Sequence, residues 1–253
     1  MKLIHNFKSS NFNDRKSNNI ELIIIHYTAL NSASKSLKYL CSKKNKVSSH
    51  YLISQTGQIY SLVSEKKRAW HAGHSYWRGI RDINSISIGI ELDYSPLDSN
   101  NKFSSSLNSA LIFLLKKLIK KYKIKIENVL GHSDIAPYRK MDPGKNFPWE
   151  ILENRNISYG LQFINQSNID RNLTNKIFHK NKLNSIKKKI LFMLNFIGYD
   201  ISLAKKNRVY FNQLIDAYSN HFKIYKNHYY NKKKIFNVIE LHFLNIILTK
   251  NKK

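Results

Sequence analysis

Apolar runs of strand length recur through the first 155 residues of the chain. Segments 21–28, 87–92 and 128–132 are short, rich in Ile, Leu and Val, and typical of buried strands in an α/β sheet. Two further β-prone pieces, 51–54 and 58–61, flank a glycine-containing turn and predict a hairpin. We expect these strands to form the centre of one domain.

Helical periodicity falls between the strands. Segment 32–41 carries one apolar helical face, and segment 104–122 repeats its leucines with a period of about 3.6 residues. A short helix is predicted to begin near Trp149. The leucines expected to lie across the sheet are Leu107, Leu111, Leu114, Leu115 and Leu118. Strands that alternate with helices in this way predict an α/β fold with a mixed central sheet flanked by helices.

These patterns divide the chain into four parts. Residues 1–19 are predicted to be a polar N-terminal extension, and residues 20–156 form the α/β domain. Residues 157–180 are rich in Asn without clear periodicity, which indicates a linker, and residues 181–253 are predicted to form a small all-α domain. Its three helices are expected at 182–197, 207–220 and 232–249.

Composition adds a strong positive charge to this picture. The 253 residues include 43 Lys and Arg against 16 Asp and Glu, a net charge of +27 that attracts polyanions. The basic residues are scattered over both halves of the chain, and no zinc-finger, RRM or basic-region pattern is present. We therefore expect no nucleic-acid partner, and a basic nucleic-acid-binding protein remains only a distant alternative. A bias of the genome toward A+T would explain a chain rich in Lys, Asn and Ile.

The sequence also bears on membranes and compartment. No apolar stretch reaches the roughly 18 residues that span a bilayer, and the first 20 residues lack the apolar core of a signal peptide. We expect no transmembrane segment, and the missing signal favours the cytoplasm. The single cysteine, Cys41, excludes an intrachain disulfide.

Candidate chemistry lies at the ends of the predicted strands. His26 closes the first apolar strand, His132 closes the third, and Asp142 follows it in a loop with Pro and Gly. Glu91 shares one face of its strand with Ser87 rather than with the apolar residues. Because ligands of open α/β sheets gather at strand ends, we expect the four side chains to face one site.

Two imidazoles and a carboxylate form a ligand set suited to one zinc ion. A catalytic zinc keeps an open fourth position for a water whose pKa falls to about 7. Glu91 is the candidate general base that takes the proton of this water and passes it to a leaving nitrogen. Lys140, two residues before Asp142, is a cation that could stabilise a developing oxyanion.

Six segments carry a family resemblance that covers residues 20–155, with a weaker likeness up to about residue 250. They are 24–29 (IIHYTA), 47–53 (VSSHYLI), 69–73 (AWHAG), 87–92 (SIGIEL), 131–140 (GHSDIAPYRK) and 142–144 (DPG). Together they resemble zinc-dependent N-acetylmuramoyl-L-alanine amidases of the peptidoglycan-recognition type, also called type 2 amidases, and among these the AmiD branch. One departure is Ser85 after Asn84, where many relatives carry Asp.

The resemblance implies a role for each candidate residue. Positions matching His26, His132 and Asp142 bind zinc in that family, the position matching Glu91 is the catalytic glutamate, and the one matching Lys140 supports the transition state. It also implies the substrate, which is the amide between the lactyl group of N-acetylmuramic acid and L-alanine of the peptidoglycan stem peptide. Peptidoglycan or muropeptide fragments are thus the expected partners of a monomeric enzyme.

Other residues are expected near the substrate. His71 and Trp70 belong to a glycine-containing stretch suited to lining a sugar or peptide site. We also place His50 and Asn84 near the substrate, with His50 a supporting residue rather than a fourth ligand. The histidines without ligand-type neighbours, expected to be surface or packing residues, are His5, His179, His221, His228 and His242.

Three questions stay open at this level. A peptidoglycan-recognition protein without catalysis is the alternative function, although such proteins usually lack a zinc ligand. The helical residues 181–253 resemble a small peptidoglycan-binding module, but they could equally be a cap that stabilises the first domain. AmiD relatives are typically exported lipoproteins, which makes the cell envelope an alternative to the cytoplasm.

Overall fold

Eight strands lie in the part of the chain that the structure describes. This structure is a computed structural model, and it describes residues 2–97, 102–165, 171–224 and 232–250. In chain order the strands are β1 (Leu3–Ile4), β2 (Phe12–Asp14), β3 (Leu22–Tyr27), β4 (Tyr51–Ile53), β5 (Ile59–Ser61), β6 (Lys67–Ala69), β7 (Ser87–Leu92) and β8 (Val129–Gly131). Six of them form a mixed sheet in the order β1-β5-β4-β7-β3-β8, and β2 pairs with β6 separately.

Strand pairing confirms the predicted mixed sheet. β3 runs parallel to both β7 and β8, and β4 runs parallel to β7. β4 and β5 are antiparallel and form the predicted hairpin. The position of β3 inside the sheet explains its run of fully buried isoleucines, because a strand covered on both faces needs apolar side chains on both.

Ten α-helices lie in the described part of the chain. They are α1 (Ala33–Cys41), α2 (Ile83–Ile86), α3 (Ser105–Tyr122), α4 (His132–Ile135), α5 (Trp149–Glu153), α6 (Leu161–Asn165), α7 (Arg171–Lys180), α8 (Ile186–Ile197), α9 (Arg208–His221) and α10 (Lys232–Lys250). The helices predicted at 32–41, 104–122 and near Trp149 are confirmed as α1, α3 and α5. Among the described residues, no helix combines the length and apolarity needed to cross a membrane.

Helix α3 covers one face of the sheet. Its five predicted leucines are all buried, and they pack against Ile23 and Ile25 of β3 in a single apolar cluster. The Ser104 side chain caps the helix by accepting a hydrogen bond of 3.0 Å from the amide of Leu107. The leucine period therefore fixed both the helix and the face that it buries.

The C-terminal helices cover the opposite face. Leu22 and Ile24 of β3 share one buried cluster with Leu194 of α8, Leu214 of α9 and Phe243 of α10. Because side chains alternate along a strand, His26 emerges on this same side of the sheet. Of the three predicted C-terminal helices, the first begins at Ile186 rather than at 182, and Gly198 ends it as expected.

The predicted extension at residues 1–19 needs correction. Among these residues, β1 adds a parallel strand to β5, and β2 pairs with β6. The guanidinium of Arg15 donates to the backbone carbonyls of Asn84, Ser85 and Ser87 at 2.9–3.0 Å. β1 has only two residues and β2 only three, which is too short for the alternation by which a strand is recognised in a sequence.

The predicted linker at 157–180 also needs correction. It contains helices α6 and α7, while residues 166–170 lie outside the described part of the chain. Ile164 of α6 and Phe178 of α7 are buried in the cluster that joins β3 to the C-terminal helices. The two predicted domains therefore share one continuous apolar layer instead of separating at a flexible connection.

Candidate metal centre

Three side chains converge at the carboxyl ends of β3 and β8. The Nδ1 atoms of His26 and His132 lie 2.9 Å apart, and each lies 3.0 Å from Oδ2 of Asp142. All three residues are buried, and they form the only cluster of potential metal ligands found within the described residues. A zinc ion with bonds of about 2.0–2.1 Å to nitrogen can contact three atoms spaced this closely.

The sheet and one loop hold these ligands together. β8 lies beside β3, with Gly131 level with Ile25, so His132 begins α4 next to His26. The loop then returns, and the amide of Ser133 donates to the carbonyl of Asp142 at 2.9 Å. A side chain at Gly131 would meet the ring of Pro143 at 2.5 Å, so glycine is required for this close approach.

The electrostatics suit a cation. Burial, together with the nearby His132, lowers the pKa of His26 to about 4, so this imidazole is neutral at physiological pH as a metal ligand must be. Burial alone would raise the pKa of Asp142, but its interactions with His132 and His26 hold that pKa well below its usual range. Two imidazoles and one carboxylate match the donor set of a zinc site with an open position.

Each histidine is oriented through its second ring nitrogen. Nε2 of His132 donates to the carbonyl of Ala72 at 3.1 Å, and Nε2 of His26 donates to Nδ1 of His71 at 3.0 Å. Both bonds leave Nδ1 unprotonated and directed at the site. Partners of this kind fix the tautomer and the ring orientation of metal ligands.

His71 continues a chain of hydrogen bonds away from the site. Its Nε2 donates to Oγ of Ser87 at 3.1 Å, and that hydroxyl donates to the carbonyl of Ile83 at 2.7 Å. The ring lies against Gly89, where an added Cβ would sit 2.4 Å from it. His71 lines the cavity described below, as predicted. Because both of its ring nitrogens are already bonded, we infer that it also supports His26.

Glu91 lies beside His26 in the register of the two parallel strands. Its Oε2 atom is buried and has no hydrogen-bond partner within the described residues. Burial, reinforced by Asp142 and opposed by Lys140, raises the pKa of Glu91 to about 8. A partly exposed carboxylate with one buried, unpartnered oxygen next to a metal site is suited to exchanging a proton with a bound water.

A cavity of about 250 Å³ opens onto these groups. Glu91, Lys140 and the three candidate ligands line one end of it, while Tyr27, Tyr39 and Trp70 supply aromatic surface. Lys140 thus lies on the cavity wall, as its predicted role requires. An apolar wall with a few convergent polar groups is the usual construction of a ligand site.

The other residues predicted to lie near the substrate differ in their surroundings. Trp70 lines the cavity, with its indole N–H donating to Oδ1 of Asn13 at 2.9 Å. His50 is fully buried, accepts from the amide of Gly89 and donates to the carbonyl of Lys67, which fits the supporting role predicted for it rather than a contact with substrate. Buried imidazoles are retained when both ring nitrogens are satisfied in this way.

Asn84 is also buried away from the cavity wall. Its side-chain oxygen accepts from the amides of His71 and Ala72 at 3.1 and 2.8 Å, so it holds the segment that orients both histidine ligands. Ser85, where many relatives carry Asp, donates to the carboxylate of Asp82 at 2.9 Å. The predicted substrate contact of Asn84 is therefore corrected to support of the loop.

Sequence reasoning missed two features of the site. Gly89 makes room for His71, and a glycine inside a strand pattern is itself a signal of close approach that could have revealed this. The second feature is the hydrogen bond of His221 to Asp134 in the loop after β8. His221 and His242 are buried in the C-terminal layer, as the predicted packing role requires, and His228 lies outside the described residues. Nothing in the local sequence marks His221 as a neighbour of the metal loop.

The chain resembles known proteins in both sequence and structure. The model of the Amidase_2 family, described as N-acetylmuramoyl-L-alanine amidase, matches residues 16–145. The chain is 42% identical over 151 residues to the N-acetylmuramoyl-L-alanine amidase AmiD of Escherichia coli. This alignment covers 54% of this chain and 54% of AmiD. The chain thus spans about half the length of the relatives that it matches in sequence.

Two solved structures resemble nearly the whole chain. One is the complex of AmiD from E. coli with anhydro-N-acetylmuramic acid-L-Ala-D-gamma-Glu-L-Lys, with a TM-score of 0.67 and 29% identity over 94% of this chain and 92% of that one. The other is AmpDh3 from Pseudomonas aeruginosa, with a TM-score of 0.72 and 29% identity over 91% of this chain and 92% of that one. Their similarity extends beyond the α/β layer into the C-terminal helices.

Proposed function

This chain belongs to the Amidase_2 family of N-acetylmuramoyl-L-alanine amidases, and from that premise we propose that it is a zinc-dependent amidase of peptidoglycan. It hydrolyses the amide between the lactyl group of N-acetylmuramic acid and L-alanine of the stem peptide. The observation that carries the proposal is the triangle of His26, His132 and Asp142, with edges of 2.9–3.0 Å, beside the unpartnered carboxylate of Glu91.

His26, His132 and Asp142 hold the zinc ion. When bound, zinc in a site with three protein ligands lowers the pKa of a water to about 7 and polarises a carbonyl group. The carbonyl of Ala72 and the ring of His71 orient the two imidazoles through their second ring nitrogens. All of these groups come from one chain, so the site is complete in a monomer.

Glu91 acts as the general base and then as the general acid. Its carboxylate takes the proton of the attacking water and delivers it to the nitrogen of the L-alanine leaving group. Transfers of this kind contribute about 10²–10⁴ to the rate. Because one oxygen of Glu91 has no partner among the described residues, no existing hydrogen bond has to break before it accepts the proton.

Lys140 stabilises the charge that develops on the attacked carbonyl oxygen. It lines the same end of the cavity as Glu91 and lies close enough to oppose the effect of burial on the pKa of that carboxyl group. A fixed cation in a partly water-free site is an effective electrostatic catalyst. Trp70 and Tyr27 contribute apolar wall against which the sugar or the peptide packs.

The substrate class follows from the relatives. AmiD of E. coli is known in complex with an anhydromuramyl tripeptide, which covers the sugar, the scissile amide and the stem. We propose that this chain takes muropeptides or peptidoglycan with the same three parts. Turnover of the cell wall or recycling of its fragments is the process that such an activity serves.

Mass spectrometry of muropeptides tests the proposal directly. Purified muropeptides with anhydro and ordinary muramic acid ends are incubated with the protein, with chelator, and with chelator followed by zinc. We expect free stem peptide beginning at L-alanine, lost with chelator and restored by zinc. Glu91→Ala should bind zinc without hydrolysis, and His132→Ala should lose both. Intact muropeptides in every sample would instead favour a peptidoglycan-recognition protein without catalysis.

A further inference from the structure

We propose that the C-terminal helical layer positions the metal ligands, with His221 and Tyr199 acting through Asp134. The metal loop, defined as residues 131–145, carries both His132 and Asp142. The proposal rests on the proposed function only in taking the cluster of His26, His132 and Asp142 as a metal site. It gives the helices after residue 185 a role in the reaction other than attachment to the cell wall.

Asp134 is the link between the metal loop and the helices. Its carboxylate is fully buried, two residues after His132, and accepts from the amide of Gly131 at 2.7 Å. The other partners come from the C-terminal layer: the hydroxyl of Tyr199 donates at 2.6 Å and Nδ1 of His221 donates at 2.7 Å. A buried carboxylate with three donors is firmly fixed, because losing any donor leaves a charge poorly solvated.

His221 is held in place for this contact. Its ring stacks on Trp149 with centroids 3.8 Å apart and planes 8° from parallel. Nε2 of His221 is buried and has no partner within the described residues, so Asp134 receives the only hydrogen bond that we find for this side chain. Trp149 begins α5 just after the metal loop. The imidazole of His221 therefore contacts Asp134 near the start of the loop and Trp149 just beyond its end.

The same layer contacts the metal loop at further points. The hydroxyl of Tyr138 donates to the carbonyl of Asp200 at 2.5 Å and accepts from the amide of Ala204 at 3.3 Å. Nζ of Lys223 donates to the carbonyl of Lys145 at 2.5 Å. The start, the middle and the end of the loop are thus each bonded to residues 199–223.

The metal loop needs this external support. Its helix α4 is only four residues long, and an isolated turn of that length is not stable by itself. The loop must nevertheless keep Nδ1 of His132 and Oδ2 of Asp142 at 3.0 Å. His221 and Tyr199 are therefore positioning residues, which act on the ligands without touching the metal or the substrate.

Two matched pairs of variants in the full-length protein test the proposal. Tyr199→Phe and His221→Phe remove the donors to Asp134 and keep the aromatic packing. Tyr218→Phe and His242→Phe are the controls, since these two residues are equally buried in the same layer and bond to each other at 3.1 Å. Zinc affinity is measured by competition with a chromophoric chelator, with kcat, KM and Tm determined for each variant.

We expect Tyr199→Phe and His221→Phe to weaken zinc binding about tenfold, in the range seen when outer-shell partners of ligands are removed, and to lower kcat more than they raise KM. The controls should lower Tm while leaving zinc affinity within about twofold of the wild type. Wild-type zinc affinity in Tyr199→Phe, or equal losses in all four variants, would overturn the proposal. If His221→Phe does not fold, Tyr199→Phe decides.

The proposed function fails in distinguishable ways. A wild-type protein that binds zinc and cleaves no muropeptide would refute the amidase, while the comparison of zinc affinities would still decide the role of the helices. A wild-type protein that binds no zinc would refute both.

Discussion

At the residue scale, the surroundings of Glu91 act on its protonation in two opposite directions. Burial and the neighbouring Asp142 favour its neutral acid, whereas Lys140 favours the carboxylate. The folded protein without metal therefore holds a proton on Glu91 near neutral pH, because the pKa is about 8. A bound divalent cation shifts the balance toward the carboxylate, which is the form that a general base needs.

This balance predicts a pH-dependent stability of the metal-free protein. The pKa of Glu91 rises from 4.5 to about 8 on folding, so its contribution to stability is complete below pH 4.5 and is lost as the pH rises toward 8. Glu91→Gln removes this loss and should stabilise the metal-free protein near pH 8 by about 1–3 kcal/mol. Chelator-treated samples melted at pH 4.5, 6 and 8 check this, and a difference in Tm that stays constant with pH would contradict it.

His71 shows how a residue beside the cavity can act through a ligand. It accepts the proton of Nε2 of His26 and passes its own to Ser87, so its removal frees the imidazole of His26 to rotate or change tautomer. The hydrogen bonds, rather than the position of His71 on the cavity wall, decide its role.

Replacing His71 should therefore affect the metal before the substrate. We expect His71→Ala to weaken zinc binding about 10–100-fold, measured by chelator competition. Trp70→Phe is the control, because Trp70 lines the same cavity but its indole bonds to Asn13, so KM should change and zinc affinity should not. Unchanged zinc affinity in His71→Ala would return this residue to the substrate role predicted from the sequence.

At the scale of elements, the two faces of β7 have different functions. Ile88 and Ile90 face the cluster beneath α3. On the other face, Ser87 and Gly89 contact His71, and Glu91 lies beside His26. The glycine is as important as the polar residues, since the ring of His71 occupies the space where its side chain would lie. The strand alternation was predicted, but the neighbour above Gly89 was not.

A double-mutant cycle tests that packing. Gly89→Ala places a methyl group 2.4 Å from the ring of His71, and we expect a loss of about 1–3 kcal/mol of stability together with weaker zinc binding. In the His71→Ala background the added methyl group has room, so the same change should cost much less. Additive losses in the double variant would show that Gly89 is needed for another reason.

Across the whole molecule, the formal charge of +27 is the most extreme property. Lys140 is the only lysine or arginine along the described cavity wall, so few of the positively charged side chains belong to the site. The remaining charge is suited to long-range attraction of a substrate that carries carboxylates, as stem peptides do. Such steering changes the rate of encounter and is screened by salt.

We therefore expect the cleavage of insoluble peptidoglycan to be sensitive to salt. Raising NaCl from about 50 to about 500 mM should lower kcat/KM by roughly tenfold, because the Debye length falls well below the size of the protein. A small muropeptide with few carboxylates is the control and should show a much weaker dependence. Equal rates of polymer cleavage at both salt concentrations would show that the charge of the protein does not contribute to its function.

The sequence by itself determined the layers and the chemistry of this protein. Short apolar runs could only be buried strands, the leucine period of α3 fixed the face that it buries, and ligand-type residues at strand ends indicated where metal chemistry lies. These signals are local, because they depend on residues two to four positions apart along the chain. The strands β1 and β2 were missed because they are only two and three residues long and show no apolar alternation.

Only the tertiary structure decided what lies against each of these residues. His50, His71 and Asn84 were placed near the substrate, but the roles of these residues depend on partners 12 to 45 positions away. Asp134 meets Tyr199 and His221 across 65 and 87 positions, which no periodicity encodes. Contacts of this kind arise from how two layers close on one sheet, and that closure is a property of the whole chain rather than of any segment.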